Sequence, residues 1–492
     1  MNLPDLIYQA LGQYLDLPDA EVRGVVQDHR QVTPGALFVA RQGERFDAHK
    51  YAKQAADNGA VAVVGQKRGL KYLPWQRVRY VHVEDDRVAL AKLAATFYRH
   101  PSQTLTTLGV TGTDGKTTTA FLLHHLLQGG LQTGLLSTAG NKLRDDPIDL
   151  EGHFTTPEAP EVQRLLAAFR DGGCTHAVIE SSSHGFALHR LDEVDYDVGV
   201  WTNLSPEHLD FHKTLGAYLN AKLTLLRRAR VSVVNRDDTS FAAAVAAANE
   251  VVSYGEHPES DWRASDIREG VNQQSFALHV ETVAGVLERT VTLPLVGRYN
   301  VHNALAALAA AHAVGVPLDL LVERLNSFPG VPGRLQVVQA EPFAAVVDFA
   351  HTPTALQKVL TTLRPLTQGR LIVVVGAAGE RDPAKRQPLG QVATHYADLA
   401  VFTEEDSRSE ATEAILGELA AGASAAGGVE GETFWCLADR REAVHKAVSL
   451  VKAGDTLVFA GKGHERTLER AFETLPWDEV AEVSRALGDA RG

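Results

Sequence analysis

Gly109-Val110-Thr111-Gly112-Thr113-Asp114-Gly115-Lys116-Thr117-Thr118-Thr119 continues an apolar, β-branched run from Leu105 and opens the periodic segment Ala120-Phe121-Leu122-Leu123-His124-His125-Leu126-Leu127. Strand, glycine turn and helix are thus written in succession. Glycines permit the sharp reversal that aims consecutive N–H groups and a helix N-terminus at one anionic spot. Lys116 adds a cation for the β- and γ-phosphates, and Thr117 a hydroxyl for magnesium. Val110 stands where the first glycine of G-x-x-x-x-G-K-[ST] belongs, so a short Gly-x-x-Gly-Lys-Thr-Thr loop remains. Gly112, Thr113, Asp114, Gly115, Lys116, Thr117 and Thr118 are the candidate phosphate-binding residues. Because the flanking strand and helix agree with the loop, it reads as a nucleoside-triphosphate site rather than an ordinary turn with a surface lysine.

The chain around this loop is too long for one core: 492 residues predict about three domains. The hydrophobic fraction of 45% and charged fraction of 22% are those of a soluble globular protein. A net charge of −13 argues against a nucleic-acid surface. Cys174 and Cys436 are the only cysteines, which excludes a disulfide framework and a Cys-based zinc site. Residues 1–15 lack a basic start and carry Asp5 in their apolar pattern, so no signal peptide is expected. No run of about 18 apolar residues occurs, since the alanine-rich stretch from Ala304 is broken by His312 and Pro317. The expectation is a cytoplasmic monomer with no membrane insertion.

Residues 1–100 show strand patterns at 22–28, 36–40 and 60–64 and helix patterns at 49–58 and 86–98, with His100-Pro101 as a boundary. From 101 to 330 strands at 105–111, 176–179, 198–202 and 231–234 alternate with helices at 116–127, 158–170, 217–228 and 301–313. This alternation predicts a mainly parallel, doubly wound sheet. Between 251 and 295 polar and apolar residues alternate, which predicts a small antiparallel patch. After the linker Pro329-Gly330-Val331-Pro332-Gly333, residues 331–492 repeat the alternation, with strands at 344–348, 371–376, 399–403 and 456–460. That predicts a Rossmann-like C-terminal domain whose strand ends supply site loops.

Several strand ends carry chemistry. Glu180 closes Val178-Ile179-Glu180, and the next strand end reads Thr202-Asn203-Leu204-Ser205-Pro206-Glu207-His208. Glu180 and His208 could meet beside Thr117 around magnesium, although imidazole is an uncommon ligand for that hard cation. Lys222 lies in a periodic helix and, on sequence alone, reads as an exposed helix lysine. Asp348 and His351 follow one C-terminal strand, while Arg381 and Arg408 follow others; guanidinium forks suit a carboxylate-bearing substrate. Gly461-Lys462-Gly463-His464-Glu465 follows the last strand.

In this order, Gly-Thr-Asp-Gly-Lys-Thr-Thr (112–118), Glu-Ser-Ser-Ser-His (180–184), Thr-Asn-Leu-Ser-Pro-Glu-His-Leu-Asp (202–210), Tyr-Asn-Val-His-Asn (299–303), Asp-Phe-Ala-His-Thr-Pro (348–353) and Ala-Gly-Lys-Gly-His-Glu (460–465) resemble the Mur ligase family over nearly the whole chain. Asp-His-Arg with Pro-Gly-Ala-Leu-Phe-Val-Ala (28–40), Phe-Thr-Thr-Pro-Glu (154–158) and Glu405-Asp406-Ser407-Arg408 are similar to its members that add the third residue of the peptidoglycan stem peptide. The resemblance implies an N-terminal UDP-binding domain (1–100), a central ATPase (101–330) and a C-terminal amino-acid-binding domain (331–492). It implies that ATP activates the D-Glu carboxyl of UDP-MurNAc-L-Ala-D-Glu as an acyl phosphate, which a free diamino acid then attacks. Lys116 and magnesium would neutralise the charge of transfer, and domain closure would exclude water.

Carried over by motif, His29, Arg30, Thr155, Thr156, Ser182 and Arg190 would hold the UDP-muramoyl substrate. Thr117, Glu180, His208 and a carbamylated Lys222 would form the magnesium side, with Lys116, Glu180, His208 and Lys222 catalytic. Asn303 would meet the adenine, and Arg334 and Asp348 would approach the nucleotide. Arg381, Glu405, Asp406, Ser407, Arg408, Gly461 and Glu465 would take the amino acid. Two positions depart from the pattern: His29 replaces the serine of Asp-Ser-Arg, and Glu-Asp-Ser-Arg replaces Asp-Asn-Pro-Arg. The acidic pair 405–406 favours a distal ammonium, hence L-ornithine or L-lysine over meso-diaminopimelate. The alternatives are diaminopimelate itself, or another amide ligase of the Mur and folylpolyglutamate superfamily.

Overall fold

The structure, a computed structural model, describes residues 1–43, 46–67, 78–148, 155–270, 272–283 and 285–489. Phe154 of the Phe-Thr-Thr-Pro-Glu motif lies outside them. The fold is α/β throughout, and the chain forms two compact units. One comprises Met1–Arg263, Val280–Val286 and His302–Arg324; the other Ala264–His279, Leu287–Val301 and Leu325–Gly492.

The first unit begins with a helix at Leu3–Leu11, which has Pro4 in its first turn and ends at Gly12 in a left-handed conformation. Four parallel strands follow in spatial order: Gly24–Val26, Ala36–Ala40, Ala62–Gly65 and Arg79–His82. Ala36–Ala40 is buried along its whole length, as expected of a central parallel strand. The helix Asp86–Phe97 covers one face and is capped by Asp85, whose carboxylate accepts from the N–H groups of Arg87 and Val88.

The larger sheet of this unit is centred on Thr106–Thr111. It lies between Val198–Trp201 and His176–Glu180, all three parallel. Beyond them lie Val231–Asn235 and Glu250–Gly255 on one side and Thr133–Leu136 on the other, also parallel. The antiparallel patch expected from residue 251 begins later: Glu250–Gly255 pairs parallel with 231–235 and again with the start of Trp262–Glu269, whereas Gln274–Thr282 and Gly285–Leu293 are sheet neighbours only two residues apart in sequence, a spacing that antiparallel strands alone allow. Alternating burial marks a strand covered unequally on its two faces and does not encode the direction of its neighbours. A hairpin, Asn141–Leu143 with Asp146–Ile148, closes the opposite edge.

In the second unit the sheet order is Gln336–Gln339, Ala344–Asp348, Thr456–Ala460, Leu371–Ala377, Leu399–Glu404 and Phe434–Cys436. Only the first of these runs antiparallel to its neighbour. Successive side chains of one strand serve opposite cores. Val373 and Val375 pack with Phe402 and the helices at 353–363, 386–396 and 412–425. Ile372 and Val374 pack with Val401 and the helices at 440–450 and 479–489. Helices therefore cover both faces, and the loops leaving the strands' carboxyl ends are free to build a site.

Candidate active site

The phosphate loop lies between Thr106–Thr111 and the helix Lys116–Gln128, as its sequence predicts. Gly115 has φ +84°, and a Cβ there would collide with the Asn303 side chain. That close approach, with the left-handed backbone, explains why glycine is needed immediately before the lysine. Asn303 is buried and accepts from Thr119 Oγ1 at 3.3 Å, so it braces the loop from outside. Lys116 Nζ donates to the carbonyls of Thr113 at 2.7 Å and Gly112 at 3.1 Å. Asp114 is exposed, and its N–H donates to Asn203 Oδ1 at 2.9 Å.

Glu180 is buried at the end of its strand. Its Oε1 accepts from Thr117 Oγ1 at 3.0 Å, and its Oε2 from Ser137 Oγ at 2.6 Å and the Thr138 N–H at 2.9 Å. The Thr117–Glu180 pair expected from the sequence is thus present, and it is built from oxygen donors. Among the described residues, no group of three or more His, Cys, Asp or Glu side chains is placed to hold a metal ion. Oxygen donors with few protein ligands fit magnesium, which keeps waters and substrate phosphate oxygens in its shell.

His208 sits at φ +54° with its side chain about half exposed. Its ring meets that of His184 edge-on, with centroids 4.8 Å apart, and lies 6.2 Å from Tyr218. A left-handed backbone is uncommon at a non-glycine residue, and histidine is among the residues that adopt it more readily. Lys222 corrects the local reading of an exposed lysine: it is 1% exposed, donates to the Gly112 carbonyl, and lies over the Tyr218 ring at 4.6 Å. Burial, reinforced by the charge of Lys116, holds its ammonium well below the usual lysine range.

Toward the N-terminal strands, Thr156 Oγ1 lies 2.9 Å from Ser182 Oγ and donates to the Glu180 carbonyl. Arg190 donates to the Thr156 carbonyl at 2.8 Å and to Glu158 at 2.6 Å. Thr155 adjoins this group and is half-buried. His29 stacks on Tyr51 with centroids 3.9 Å apart and planes 5° from parallel, while Arg30 reaches back to Asp28.

In the second unit, Asp348 is buried and accepts from the N–H groups of Leu335 and Ala350, both at 2.8 Å. Burial raises its carboxyl above the ordinary range, with Arg334 opposing. Arg334 lies over the Phe349 ring at 4.9 Å, and Arg381 is exposed. The loop 405–408 lies beside Gly461 and Lys462. Lys462, fully buried, donates to Asp406 Oδ1 at 2.8 Å and to Glu465 Oε2 at 2.6 Å. Asp406 also accepts from the Glu469 N–H, again on Oδ1, and Arg408 Nη2 lies 3.8 Å from its Oδ2, so its charge is balanced within the loop, unlike that of Glu405. Arg408, at φ +50°, donates to Glu469 at 2.8 Å and to the Gly379 carbonyl at 2.7 Å. Glu405 differs: it is 6% exposed, and among the described residues its Oε2 has no hydrogen-bond partner. Burial pushes its carboxyl up to about 7, with Glu465 adding to the rise and Lys385, Arg440 and Lys462 opposing it. Ser407 is buried, and its carbonyl lies against Gly379.

Sequence reasoning missed Lys462 as an ion partner, and Arg440 altogether. Arg440 is completely buried with Glu479 at 2.7 Å, and its remaining N–H groups hold the carbonyls of Glu404 at 3.1 Å and Ala460 at 2.8 Å. One guanidinium thus ties together the two strand ends that carry Glu405 and Gly461. Only Asp439, a helix-start signal, stood beside it in the sequence.

Residues 21–98, 110–311 and 333–463 match in turn the Mur ligase family catalytic domain, the Mur ligase middle domain and the Mur ligase glutamate ligase domain. A UDP-N-acetylmuramyl-tripeptide synthetase of Deinococcus radiodurans is 47% identical over 477 residues, 96% of each chain. The chain belongs to the Mur ligase family. It is accordingly an ATP-dependent, amide-forming ligase. The enzyme of Streptomyces avermitilis named as adding 2,6-diaminopimelate is 38% identical, covering 96% of this Mur ligase and 94% of its own chain. Among solved structures, a UDP-N-acetylmuramoyl-L-alanyl-D-glutamate–2,6-diaminopimelate ligase superposes with a TM-score of 0.69 at 29% identity, over 100% of both chains. A MurF ligase of Thermotoga maritima in complex with ADP has a TM-score of 0.63 at 22% identity, covering 96% of this chain and 99% of its own, and shares the fold. Among the described residues, no helix is long and apolar enough to cross a membrane.

Proposed function

We propose that this Mur ligase joins a diamino monocarboxylic acid, L-ornithine or L-lysine, to the D-Glu carboxyl of UDP-MurNAc-L-Ala-D-Glu in cytoplasmic peptidoglycan precursor synthesis. The observation that carries the choice of amine is Glu405. A buried carboxylate oxygen without a donor is costly, and an incoming distal ammonium would satisfy it. The guanidinium of Arg408, the natural grip for a distal carboxylate, is already engaged by Glu469 and the Gly379 carbonyl. The relative of greatest identity quoted above is named a tripeptide synthetase, which supports the acceptor.

In this reading residues 1–100, 101–330 and 331–492 serve the UDP-substrate, ATP and the amino acid respectively. A free carboxylate is a poor acylating group, so the γ-phosphoryl of ATP is first transferred to the D-Glu oxygen and ADP leaves. Magnesium, when bound, offsets charge on the phosphates. Thr117 and Glu180 would supply its oxygen donors, and His208, carried over by motif, would join them. Lys116 exchanges its two loop carbonyls for phosphate oxygens, which suit its charge better. Lys222, whose burial disfavours the ammonium, adds as the free amine to CO2: a nitrogen–carbon bond forms, a proton leaves, and the carbamate presents oxygen in place of nitrogen. Asn303 keeps the loop in shape beside the adenine. The free amine then attacks the acyl phosphate and expels phosphate; Gly461, Glu465 and Ser407 line its approach.

Phosphate release measured with UDP-MurNAc-L-Ala-D-Glu, ATP and each amine tests this. Turnover with ornithine or lysine well above that with meso-diaminopimelate is expected. Preference for diaminopimelate, the amino acid named for the Streptomyces avermitilis relative, would overturn the choice and show that Arg408 releases Glu469 for substrate.

A further inference from the structure

Arg190 is not the only guanidinium at Glu158. The Glu158 carboxylate is shared, Oε1 accepting from Arg190 at 2.6 Å and Oε2 from Arg41 at 2.7 Å. Arg87 lies near enough that it and Arg41 both disfavour the charge on Arg190, after burial itself, while Glu158 opposes them. Of the further acids beside them, Asp85 accepts the Arg87 and Val88 N–H groups, and Asp86 is 1% exposed and spends one oxygen on the Gln42 N–H at 2.9 Å, its carboxyl raised by burial. Among the described residues, Arg41 Nε and Arg87 Nη1 are buried without a hydrogen-bond partner. Buried donors are normally satisfied, so these two await an acceptor.

The neighbours give the direction in which such a ligand would run. Arg41 also donates to Gln27, two residues before His29 in the aromatic column of Phe46, Tyr51 and His29. On the other side, Arg190 holds Thr156, which bonds Ser182 and the Glu180 carbonyl, and Glu180 reaches Thr117 of the phosphate loop. The arginines stand between a stacking platform suited to a base and the carboxylate beside the transferred phosphoryl group. A nucleotide-linked substrate with its base at one end and its reactive carboxyl at the other carries its diphosphate between them. Guanidinium forks match phosphate oxygens in charge and geometry.

We propose that Arg41 and Arg87, together with Arg190, grip the diphosphate of the nucleotide-linked acceptor. The assignment rests on the acceptor named under Proposed function, yet it is read by binding alone. Calorimetric titration of UDP and UMP into the full chain and its Arg41→Met and Arg87→Met variants tests it, with ATP binding as the control for folding. Wild-type protein should bind UDP more tightly than UMP. Each variant should lose on the order of tenfold in UDP affinity, the scale of one charge-assisted hydrogen bond, and far less for UMP. An Arg41→Lys variant, which keeps the charge but not the fork, covers the case in which Arg41→Met loses ATP binding; it should fall between wild type and the expected loss. UDP affinity within about twofold of wild type in the variants that bind ATP would overturn the proposal. So would a loss seen with UDP-MurNAc-L-Ala-D-Glu but not with UDP, since the arginines would then serve a carboxylate. Failure of the acceptor assignment is separate, because it would show as absent phosphate release with UDP-MurNAc-L-Ala-D-Glu in wild-type protein whose UDP binding behaves as expected.

Discussion

Replacing Glu405 by Gln should stabilise this protein while impairing it, and the two effects have different pH profiles. Burial raises the Glu405 carboxyl from an ordinary 4.5 to about 7. Between those values the folded chain holds a proton that the unfolded chain releases. Stability associated with this group is therefore fully present below pH 4.5 and is lost as pH rises through 7. The gap between the two values corresponds to about 3 kcal/mol of destabilisation at pH 8. Gln keeps the shape and carries no charge, so it removes that penalty. Relative to wild type, the variant should gain little at pH 4.5–5 and about 3 kcal/mol at pH 8. For a cooperative body of 150–250 residues, that is a rise in melting temperature of roughly 6–12 °C.

Thermal unfolding of both proteins at pH 5, 6, 7 and 8 reads this directly, and the difference should grow steadily across the series. The same variant should raise KM for the diamine by tenfold or more at pH 8, with KM for ATP unchanged, because an amide cannot balance a buried ammonium. In wild-type protein KM for the diamine should fall as pH rises through about 7, as Glu405 ionises. A melting difference independent of pH would refute the reasoning, since it would place a partner on the Glu405 carboxylate in the folded chain. Unchanged diamine KM alongside the expected stability gain would make Glu405 a strained structural group and not the ammonium acceptor.

Lys222→Ala should be nearly inactive and partly rescued by a short carboxylic acid, and wild-type activity should fall on exhaustive removal of CO2; full activity of the variant in phosphate release excludes the carbamate. Glu180→Ala and His208→Ala should each cut turnover far more than ATP affinity, measured by steady-state kinetics beside nucleotide titration. Asp406→Asn should leave Lys462 paired with Glu465 and change diamine KM less than Glu405→Gln does, whereas equal effects would make Asp406 a direct ligand. Arg440→Met should cost roughly 3–5 kcal/mol by stranding Glu479; in a Glu479→Gln background it should still raise diamine KM, while Glu479→Gln alone should not.

Local patterns carried most of the fold. The strands at 344–348 and 456–460 begin and end where periodicity and turn residues put them. The phosphate loop was equally plain, because its glycines, lysine and threonine act through backbone geometry that a short window specifies. Sheet direction at 250–255 was not, since parallel and antiparallel partners bury the same alternate residues. The helix Leu3–Leu11 had its signals, Pro4 and Gly12, in a stretch weighed only as a leader. Lys222 shows the limit of helical periodicity, which predicts a buried stripe without saying whether a lysine within it faces solvent or another loop.

What stayed hidden is charge pairing across long separations. Lys462 meets Asp406 across 56 positions, and Arg440 meets Glu479 across 39. Those pairs decide which acidic groups are available to a ligand. From the sequence, Glu405 and Asp406 are neighbours with one charge each and equal claims on an ammonium. In the fold Lys462 neutralises Asp406 and Glu465 together, Glu469 occupies Arg408, and Arg440 fixes the two strand ends from below. Each of these contacts removes a competitor, and Glu405 is left as the loop's buried carboxylate with an oxygen still to satisfy. The residues that would choose the amine are thus set by contacts that do not touch it. A motif comparison of residues 405–408 alone would assign selectivity to Asp406 or Arg408, the two side chains of that loop whose charges are already committed.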